Sequence, residues 1–280
     1  MRKVRKYSLA FFCVIVTAMI AILVHALLPS PGASVNADDF DGPLVEIFGF
    51  PFVASIYFVL LYLHIMIVFF IFGNKSESKR VQFGLHYGLA FGLMYLIGMQ
   101  EVVVEGSPLE EYGIDFMSYQ FFMGLGDAIP VFILCKVLAM CIKKGNEKKI
   151  ENKIDKEKII RILIIGGVFF VQRTAGYYIG YIDSDIEKYP IPVLVWTAVM
   201  GIVFGVMNIM LQSVHPFTSN YKNIIQINLV SIGINWIWFN CFMGLILKDT
   251  FAKMFIRGGI DVLFITIGAI FATCIASRET

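Results

Sequence analysis

Residues 121–144 read FFMGLGDAIPVFILCKVLAMCIKK, and this stretch decides the fold class. Its apolar residues cover about the 20 positions that a helix needs to cross a bilayer. Asp127 interrupts the apolar run in its first half, Pro130 follows three residues later, and a basic loop begins at its end. The stretch therefore predicts a membrane-spanning helix that carries an ionisable group.

The composition of the whole chain also indicates a membrane protein. Of the 280 residues, 58% are hydrophobic and 16% are charged, whereas soluble domains are about 25% charged. The lysines lie in short loops between apolar runs rather than along one soluble face, which argues against nucleic-acid binding. The loops are too short for a separate soluble core.

The sequence contains no pattern typical of a metal or cofactor site. All five cysteines lie in apolar runs, none forms a CxxC pair, and no Cys/His cluster has the spacing of zinc ligands. Motifs for nucleotide phosphates and for zinc proteases are also missing from the sequence. We therefore predict neither a metal nor a cofactor.

Eight apolar runs predict an all-α, polytopic bundle of eight transmembrane helices. The first run has a competing interpretation as a secretory signal peptide cleaved at residues 35–37, although it is longer than the core of such peptides. The predicted spans are Ser8–Leu28, Phe50–Phe72, Phe83–Gln100, Met117–Ile142, Ile159–Tyr181, Ile191–Leu211, Ile224–Leu247 and Gly258–Ala276.

The distribution of Lys and Arg predicts the orientation of the chain. These residues are abundant before the first span, after the second span and at positions 143–158, whereas residues 29–49 and 101–116 contain none. Because basic loops stay in the cytoplasm, we expect a protein of the cell membrane with both termini cytoplasmic. One loop does not fit this rule, because Lys248, Lys253 and Arg257 fall on the other side.

The chain divides into two halves of four spans, residues 1–142 and 159–280, joined by a charged cytoplasmic linker at 143–158. Each half begins with a basic flank, continues into an acidic segment that ends in an aromatic-proline pair, and closes with a glycine and an aspartate entering its last span. This likeness predicts a parallel duplication. In transporters with parallel repeats, the substrate site lies at the repeat interface.

Asp127 and Arg173 are the foremost site candidates. At about 1.5 Å per residue, they lie roughly 15 and 12 Å below the outer ends of the fourth and fifth spans. Because each charge alone would be costly in a bilayer, we predict that they form an ion pair, either a static salt bridge or part of a substrate or ion site. Gly124, Gly126 and Pro130 predict a kink or an opening of the helix beside Asp127.

Four further polar residues are candidates for a substrate or ion site. Glu101 and Asp261 lie near the outer ends of their spans, where such residues are usually solvated; the alternative is an acidic vestibule shared with Asp127. His64 lies past the midplane of the second span, and we expect it to bond a neighbouring helix rather than to bind metal or haem. Asn235 lies two turns from Asn228, a spacing typical of helix-bridging asparagines or of a pore lining.

Three functional hypotheses follow from these residues. A transporter for a small solute or ion is favoured, because polar groups occur on several spans beside a glycine-rich helix, with the site between the two halves. The alternatives are an integral membrane enzyme acting on a lipid or isoprenoid, and a non-catalytic receptor, immunity or assembly subunit. Membrane lipid and a small-molecule or ion substrate are the expected partners, and the oligomeric state is left open.

Overall fold

Eight apolar helices, each long enough to cross a membrane, make up most of the part of the chain that the structure describes. This structure is a computed structural model that describes residues 2–28, 40–101, 113–142, 155–215 and 221–276. It confirms the predicted all-α bundle and identifies a multi-pass membrane protein. The spans are, in chain order, Arg2–Leu27, Phe50–Phe72, Arg80–Gly98, Gly113–Ile142, Lys156–Ile179, Pro190–Ser213, Tyr221–Ile246 and Phe251–Ala276, and a short helix, Pro43–Phe48, precedes the second span.

Local sequence signals explain where several helices begin and end. The short helix and the second and sixth spans each have a proline in the first turn, where its missing N–H is no loss. The Asp155 carboxylate caps the fifth span by accepting a hydrogen bond from the Lys158 N–H at 2.8 Å. Gly180 ends the same span in the left-handed region, with φ of 81°. Residues 143–154 of the predicted linker, and the predicted cleavage site at 35–37, lie outside the described residues.

The bundle has a lysine-rich face and an opposite face. The lysine-rich face carries the start of the first span, the loop after the second span with Lys75 and Lys79, and the first turn of the seventh span with Lys222. The opposite face carries the short helix and the loop at 180–189 with Asp183. The placement of the lysine-rich face in the cytoplasm stays a prediction.

The main helix contacts follow the same pattern in both halves. In the first half, the first span packs against the second and fourth, and the third packs against the fourth. In the second half, the fifth span packs against the sixth and eighth, and the seventh packs against the eighth. Between the halves, the second span meets the seventh and the third meets the sixth. Exchanging the halves leaves this set of contacts unchanged, as a parallel duplication would; the duplication itself remains a prediction.

Glycines allow the closest helix approaches, as their four-residue spacing predicts. A Cβ on Gly84 would lie 2.9 Å from the Ala139 Cβ, so the third and fourth spans pack nearly backbone to backbone. In the second half, a Cβ on Gly201 would lie 2.6 Å from the Gly166 carbonyl oxygen. The fifth and sixth spans are therefore in direct backbone contact.

Two helices carry a feature that can interrupt regular α-helical geometry. The fourth span has an internal proline, and the seventh span has a π-helical segment. The fourth span continues as an α-helix through Pro130, so of the predicted kink or opening beside Asp127 the opening is wrong, and the kink stays a prediction. The seventh span contains a π-helical segment at Ile227–Gly233, where the Ile234 N–H bonds the Leu229 carbonyl five residues back. Single π turns inside α-helices are frequent at functional sites.

Candidate functional site

Arg173 of the fifth span is completely buried and binds two carboxylates. Its Nε donates to Oδ1 of Asp261 at 2.8 Å and its Nη2 to Oδ2 of the same carboxylate at 2.5 Å. Its Nη1 donates to Oε1 of Glu101, just beyond the third span. The guanidinium also lies 5.4 Å from the centre of the Phe169 ring. This geometry uses the rigid fork of N–H groups that distinguishes arginine from lysine.

Three neighbouring side chains complete the arrangement around these carboxylates. Nη2 of Arg257 lies 3.4 Å from Oε2 of Glu101 and donates to Oδ1 of Asn240 at 2.6 Å. The indole N–H of Trp236 donates to Oδ2 of Asp261 at 2.8 Å. Two guanidinium groups thus face two carboxylates inside the bundle, with the third, fifth, seventh and eighth spans joined. We call these six residues the charge cluster: Glu101, Arg173, Trp236, Asn240, Arg257 and Asp261.

The predicted ion pair between Asp127 and Arg173 is wrong. Oδ1 of Asp127 instead lies 3.0 Å from Nε2 of His25 on the first span, within ion-pair distance but not aligned as a hydrogen bond. The first span packs against the fourth and the fifth against the eighth, so equal depth did not make Asp127 and Arg173 neighbours. Gly126 permits this contact, because a Cβ there would lie 3.0 Å from the His25 ring.

The two ion pairs lie on corresponding spans of the two halves, although His25 lies two residues and Arg173 six residues before the end of its helix. His25 and Arg173 lie on the first span of their halves, and their partners lie on the fourth. Asp127 lies 15 residues before Ile142 at the end of its helix, and Asp261 lies 15 residues before Ala276. The pairs differ in chemistry, since arginine is always protonated whereas histidine changes charge near neutral pH when unperturbed.

Glu101 and Asp261 are buried, so the expectation of solvated carboxylates is wrong for both. Their exposures are 4% and 0%, because the two arginines replace water as their partners. The same cluster accounts for one of the three basic residues that depart from the positive-inside pattern. Arg257 belongs to the buried cluster, and Lys253 lies on the opposite face, 3.3 Å from the exposed Asp183 carboxylate.

His64 and Asn235 meet at the contact between the second and seventh spans. Nε2 of His64 lies 2.9 Å from the Val230 carbonyl oxygen, within the π-helical segment, so this nitrogen donates. Nδ1 lies 3.1 Å from Nδ2 of Asn235, which can only donate, so Nδ1 accepts and the ring is neutral. The Tyr95 hydroxyl donates to Oδ1 of Asn235 at 2.8 Å. The expected bond from His64 to a neighbouring helix is confirmed.

A further polar group near the lysine-rich face joins the sixth and seventh spans. Nδ2 of Asn228 donates to Oδ1 of Asn208 at 2.9 Å, which confirms the interpretation of Asn228 as a helix-bridging asparagine. Gln212 donates to the same oxygen at 3.4 Å and accepts a bond from Arg161. The seventh span therefore contributes polar contacts along its length, from Asn228 to Asn240.

The six sequence candidates fall into three separate groups. Arg173, Glu101 and Asp261 belong to the charge cluster, His64 bonds Asn235, and Asp127 lies apart from both groups. Sequence reasoning missed several partners, and a signal for one of them was present: a duplication with an aspartate on each fourth span implies a cation on each first span. The partners missed were His25, Tyr95, Trp236, Asn240 and Arg257.

An apolar groove lies between the first and fourth spans. Its volume is about 320 Å³, and its wall includes Val24, Gly126, Ile129 and Pro130. Asp127 is not part of that wall, and its side chain is 3% exposed. Among the residues that the structure describes, no group of three or more His, Cys, Asp or Glu side chains is arranged to hold a metal ion.

Comparisons with known proteins give no relative from which roles could be carried over. The chain matches no protein-family model, and neither the curated proteins nor the solved structures contain a match to it.

Proposed function

We propose that the protein is a transporter for a small solute or ion, with its functional groups at the contacts between and within two similar four-helix halves. The observation that carries this proposal is an ion pair on corresponding spans of each half, with a buried carboxylate in both pairs. Buried ionisable groups are costly within a bilayer and usually mark ion or proton pathways. Parallel repeats of this kind occur in transporters.

Within this proposal, the two ion pairs have different tasks. The Arg173–Asp261 pair is fixed by the bidentate geometry and by Glu101, so it holds the second half together. The His25–Asp127 pair lacks this bidentate geometry, and an imidazole can bind or release a proton near neutral pH when unperturbed. We therefore assign proton or cation binding to Asp127, with His25 as its competing partner.

Proteoliposomes with the full-length protein test this proposal. A dye trapped in the lumen reports the internal pH while an outward K⁺ gradient with valinomycin sets the membrane potential. We expect proton entry above that of protein-free vesicles when a mixture of amino acids, sugars or nucleosides is added outside. Asp127→Asn should lower this entry at least about tenfold, as loss of a buried charged contact implies.

Asp183→Asn is the matched control, because it removes the same charge from a side chain that is 72% exposed. The control should transport as the unchanged protein does. The proposal would be contradicted if proton entry equals that of protein-free vesicles with every solute class. This result counts only if the protein in the vesicles is folded, as shown by a normal unfolding temperature. Equal loss in both variants would contradict the assignment to Asp127.

An enzyme acting on a membrane lipid is the second candidate, and the apolar groove beside Gly126 favours it. A lipid enzyme needs its acid at a lateral opening, whereas the Asp127 side chain is 3% exposed and faces His25. This placement makes transport the better candidate. Mass spectrometry of the proteoliposome lipids separates the two, since an enzyme changes the lipids in an Asp127-dependent way without any proton entry.

A further inference from the structure

The short helix Pro43–Phe48 lies across the ends of two spans on the opposite face of the bundle. Just before it, the Gly42 N–H donates to the Ile246 carbonyl at the end of the seventh span, at 2.9 Å. Just after it, Gly49 turns the chain into the second span, with φ of 79°. Its six residues cover about 9 Å, which matches the separation of about 8–10 Å between the axes of packed helices. The helix therefore runs from one span to its neighbour, along the plane of the membrane.

The sides of this helix differ in polarity. Three exposed apolar side chains follow the i, i+3, i+4 spacing of one helix face, and we call them the apolar row: Leu44, Ile47 and Phe48. Glu46 is also exposed and, by the same periodicity, points to the other side of the helix. Val45 points inward and packs in a small apolar cluster with Ile246. The helix is therefore amphipathic on its exposed surface.

The apolar row continues into the exposed apolar surface of the second span. The centroids of the Phe48 and Phe52 rings lie 5.4 Å apart. Phe52, Ile56 and Leu60 follow one another at four-residue intervals, and all three are exposed. Apolar side chains that a membrane span exposes face the hydrocarbon chains of the lipid. The apolar row extends that lipid-facing surface beyond the end of the span.

The level of the short helix corresponds to the boundary between hydrocarbon and headgroups. The second span has 23 residues and covers about 34 Å, slightly more than the hydrocarbon core of about 30 Å. The short helix precedes this span directly and so lies at its end. Amphipathic helices at this boundary lie in the membrane plane, with the apolar face about 5–10 Å into the boundary between headgroups and chains.

The attachment of the short helix to the seventh span fixes which side faces outward. The Lys248 N–H donates to Oδ1 of Asp41 at 3.0 Å, next to the bond from Gly42 to Ile246. A Cβ on Gly42 would lie 2.5 Å from the Leu245 carbonyl oxygen, so the two backbones are in direct contact. Because the start of the helix is held in this way, the apolar row cannot turn inward without breaking these contacts.

We propose that the short helix is an interfacial anchor, whose apolar row inserts into the lipid leaflet on the opposite face while Glu46 stays in water. The partner of this surface is the lipid bilayer itself. The helix contacts the second span, from the first half, and the seventh span, from the second half. The anchor therefore holds the adjoining ends of both halves at one level in the membrane.

A fluorescent probe on the helix tests this placement in full-length protein in phosphatidylcholine vesicles. Ile47→Cys, in a background without native cysteines, carries an environment-sensitive NBD dye. The Ile47 side chain is 70% exposed, so its replacement leaves the interior packing unchanged. Glu46→Cys is the matched control on the same helix, and Leu60→Cys, about 15 Å below the start of the second span, calibrates depth.

Three quenchers report the surroundings of the dye: lipid with a nitroxide on the upper acyl chain, lipid with a nitroxide at the chain end, and iodide on both sides of the membrane. We expect the dye at Ile47→Cys to lose more intensity with the upper-chain nitroxide than with the chain-end nitroxide. Iodide should quench it much less than the dye at Glu46→Cys. The dye at Leu60→Cys should show the reverse order of the two lipids.

Three results would overturn the anchor. Iodide quenching as strong at Ile47→Cys as at Glu46→Cys would place the apolar row in water. Stronger quenching by the chain-end nitroxide would place the helix in the hydrocarbon core. Protection from all three quenchers would mean that protein, such as a second copy of this chain, covers the apolar row. The Leu60→Cys response shows that the protein is inserted, and no readout depends on transport, so this proposal can fail while the proposed function stands.

Discussion

Arg173 has three hydrogen bonds to two carboxylates, although its sequence neighbours gave no indication of either partner. Counting residues from the end of a helix gives the depth of a side chain but not the direction in which it points around the bundle. Asp127 and Arg173 matched in depth and differed in direction. Because the Arg173 side chain is at 0% exposure and has defined partners, its energetic coupling to those partners can be measured.

The first prediction is that Arg173 couples energetically to Asp261 and not to Asp127. Arg173→Gln should lower the free energy of unfolding by about 3–5 kcal/mol, because it leaves two carboxylates without their cation. Adding Asp261→Asn should recover about 0.5–3 kcal/mol, since Glu101 keeps Arg257 at 3.4 Å. Unfolding of the single and double variants in detergent measures the coupling free energy in the Arg173–Asp261 cycle and in the Arg173–Asp127 cycle.

Asp127→Asn serves as the control in that cycle. Combined with Arg173→Gln, it should give the sum of the two single effects within about 0.5 kcal/mol, because the residues share no partner. A coupling larger than that, or no coupling between Arg173 and Asp261, would contradict the described ion pairs.

The second prediction concerns His64. His64→Leu removes the partner of the Val230 carbonyl and of the Asn235 amide, which should cost about 1–3 kcal/mol of unfolding free energy because both hydrogen bonds are partly buried. His64→Gln supplies a donor and an acceptor on a shorter side chain and should lose less. Thermal unfolding of the two variants is the measurement, and an equal loss in both would contradict the assigned roles of the ring nitrogens.

At the scale of the helices, the seventh span is the one that sequence reasoning described least well. The residues Ile227–Gly233 read INLVSIG, an apolar segment with nothing that distinguishes a π turn from an α turn. The π segment depends on tertiary contacts, such as the bond from His64 to the Val230 carbonyl. The fourth span, in contrast, carried a proline that predicted a kink or an opening, and it continues as an α-helix packed against the third span.

The third prediction compares two glycines on neighbouring helices. Gly201→Ala should destabilise the protein by about 1–3 kcal/mol, because its methyl group would lie 2.6 Å from a backbone oxygen of Gly166 and the helices would have to separate. Gly167→Ala should stabilise it by up to about 1 kcal/mol, since a Cβ there meets nothing within 4 Å and alanine favours a helix.

Melting temperatures of the two variants check this prediction. Gly167 is the matched control for the substitution itself, because it lies in the fifth span beside Gly166 and carries the same chemical change. A loss of stability in both variants, or in neither, would contradict direct backbone contact between the fifth and sixth spans.

For the molecule as a whole, the number of spans was predictable and the partners of the charged residues were not. Length and apolarity fix each span independently, so all eight predicted spans correspond to helices. Which helices touch depends on the packing of many side chains, and the sequence carries that information only weakly. The likeness of the halves was the one long-range signal, and it relates His25 and Arg173 once their partners are known.

The fourth prediction is topological. A cysteine introduced at Lys79 and one introduced at Asp183, in a background without native cysteines, should react with a membrane-impermeant maleimide from opposite sides of the membrane. Both positions are exposed, at the lysine-rich and the opposite face. The positive-inside rule places Lys79 in the cytoplasm. Labelling of both cysteines from the same side of intact cells would contradict eight crossings. Labelling of the cysteine at Lys79 from outside would show that the orientation is the reverse of the predicted one.

The bond between Arg173 and Glu101 crosses from one half to the other, and this has a consequence for biosynthesis. Ribosomes make the chain from its N terminus, so Arg173 is synthesised 88 residues before Asp261. An unpaired arginine is unfavourable in the lipid phase. Glu101 has already been inserted by then, and it can hold the fifth span against the first half until the eighth span arrives. We therefore expect the first half to guide the insertion of the second.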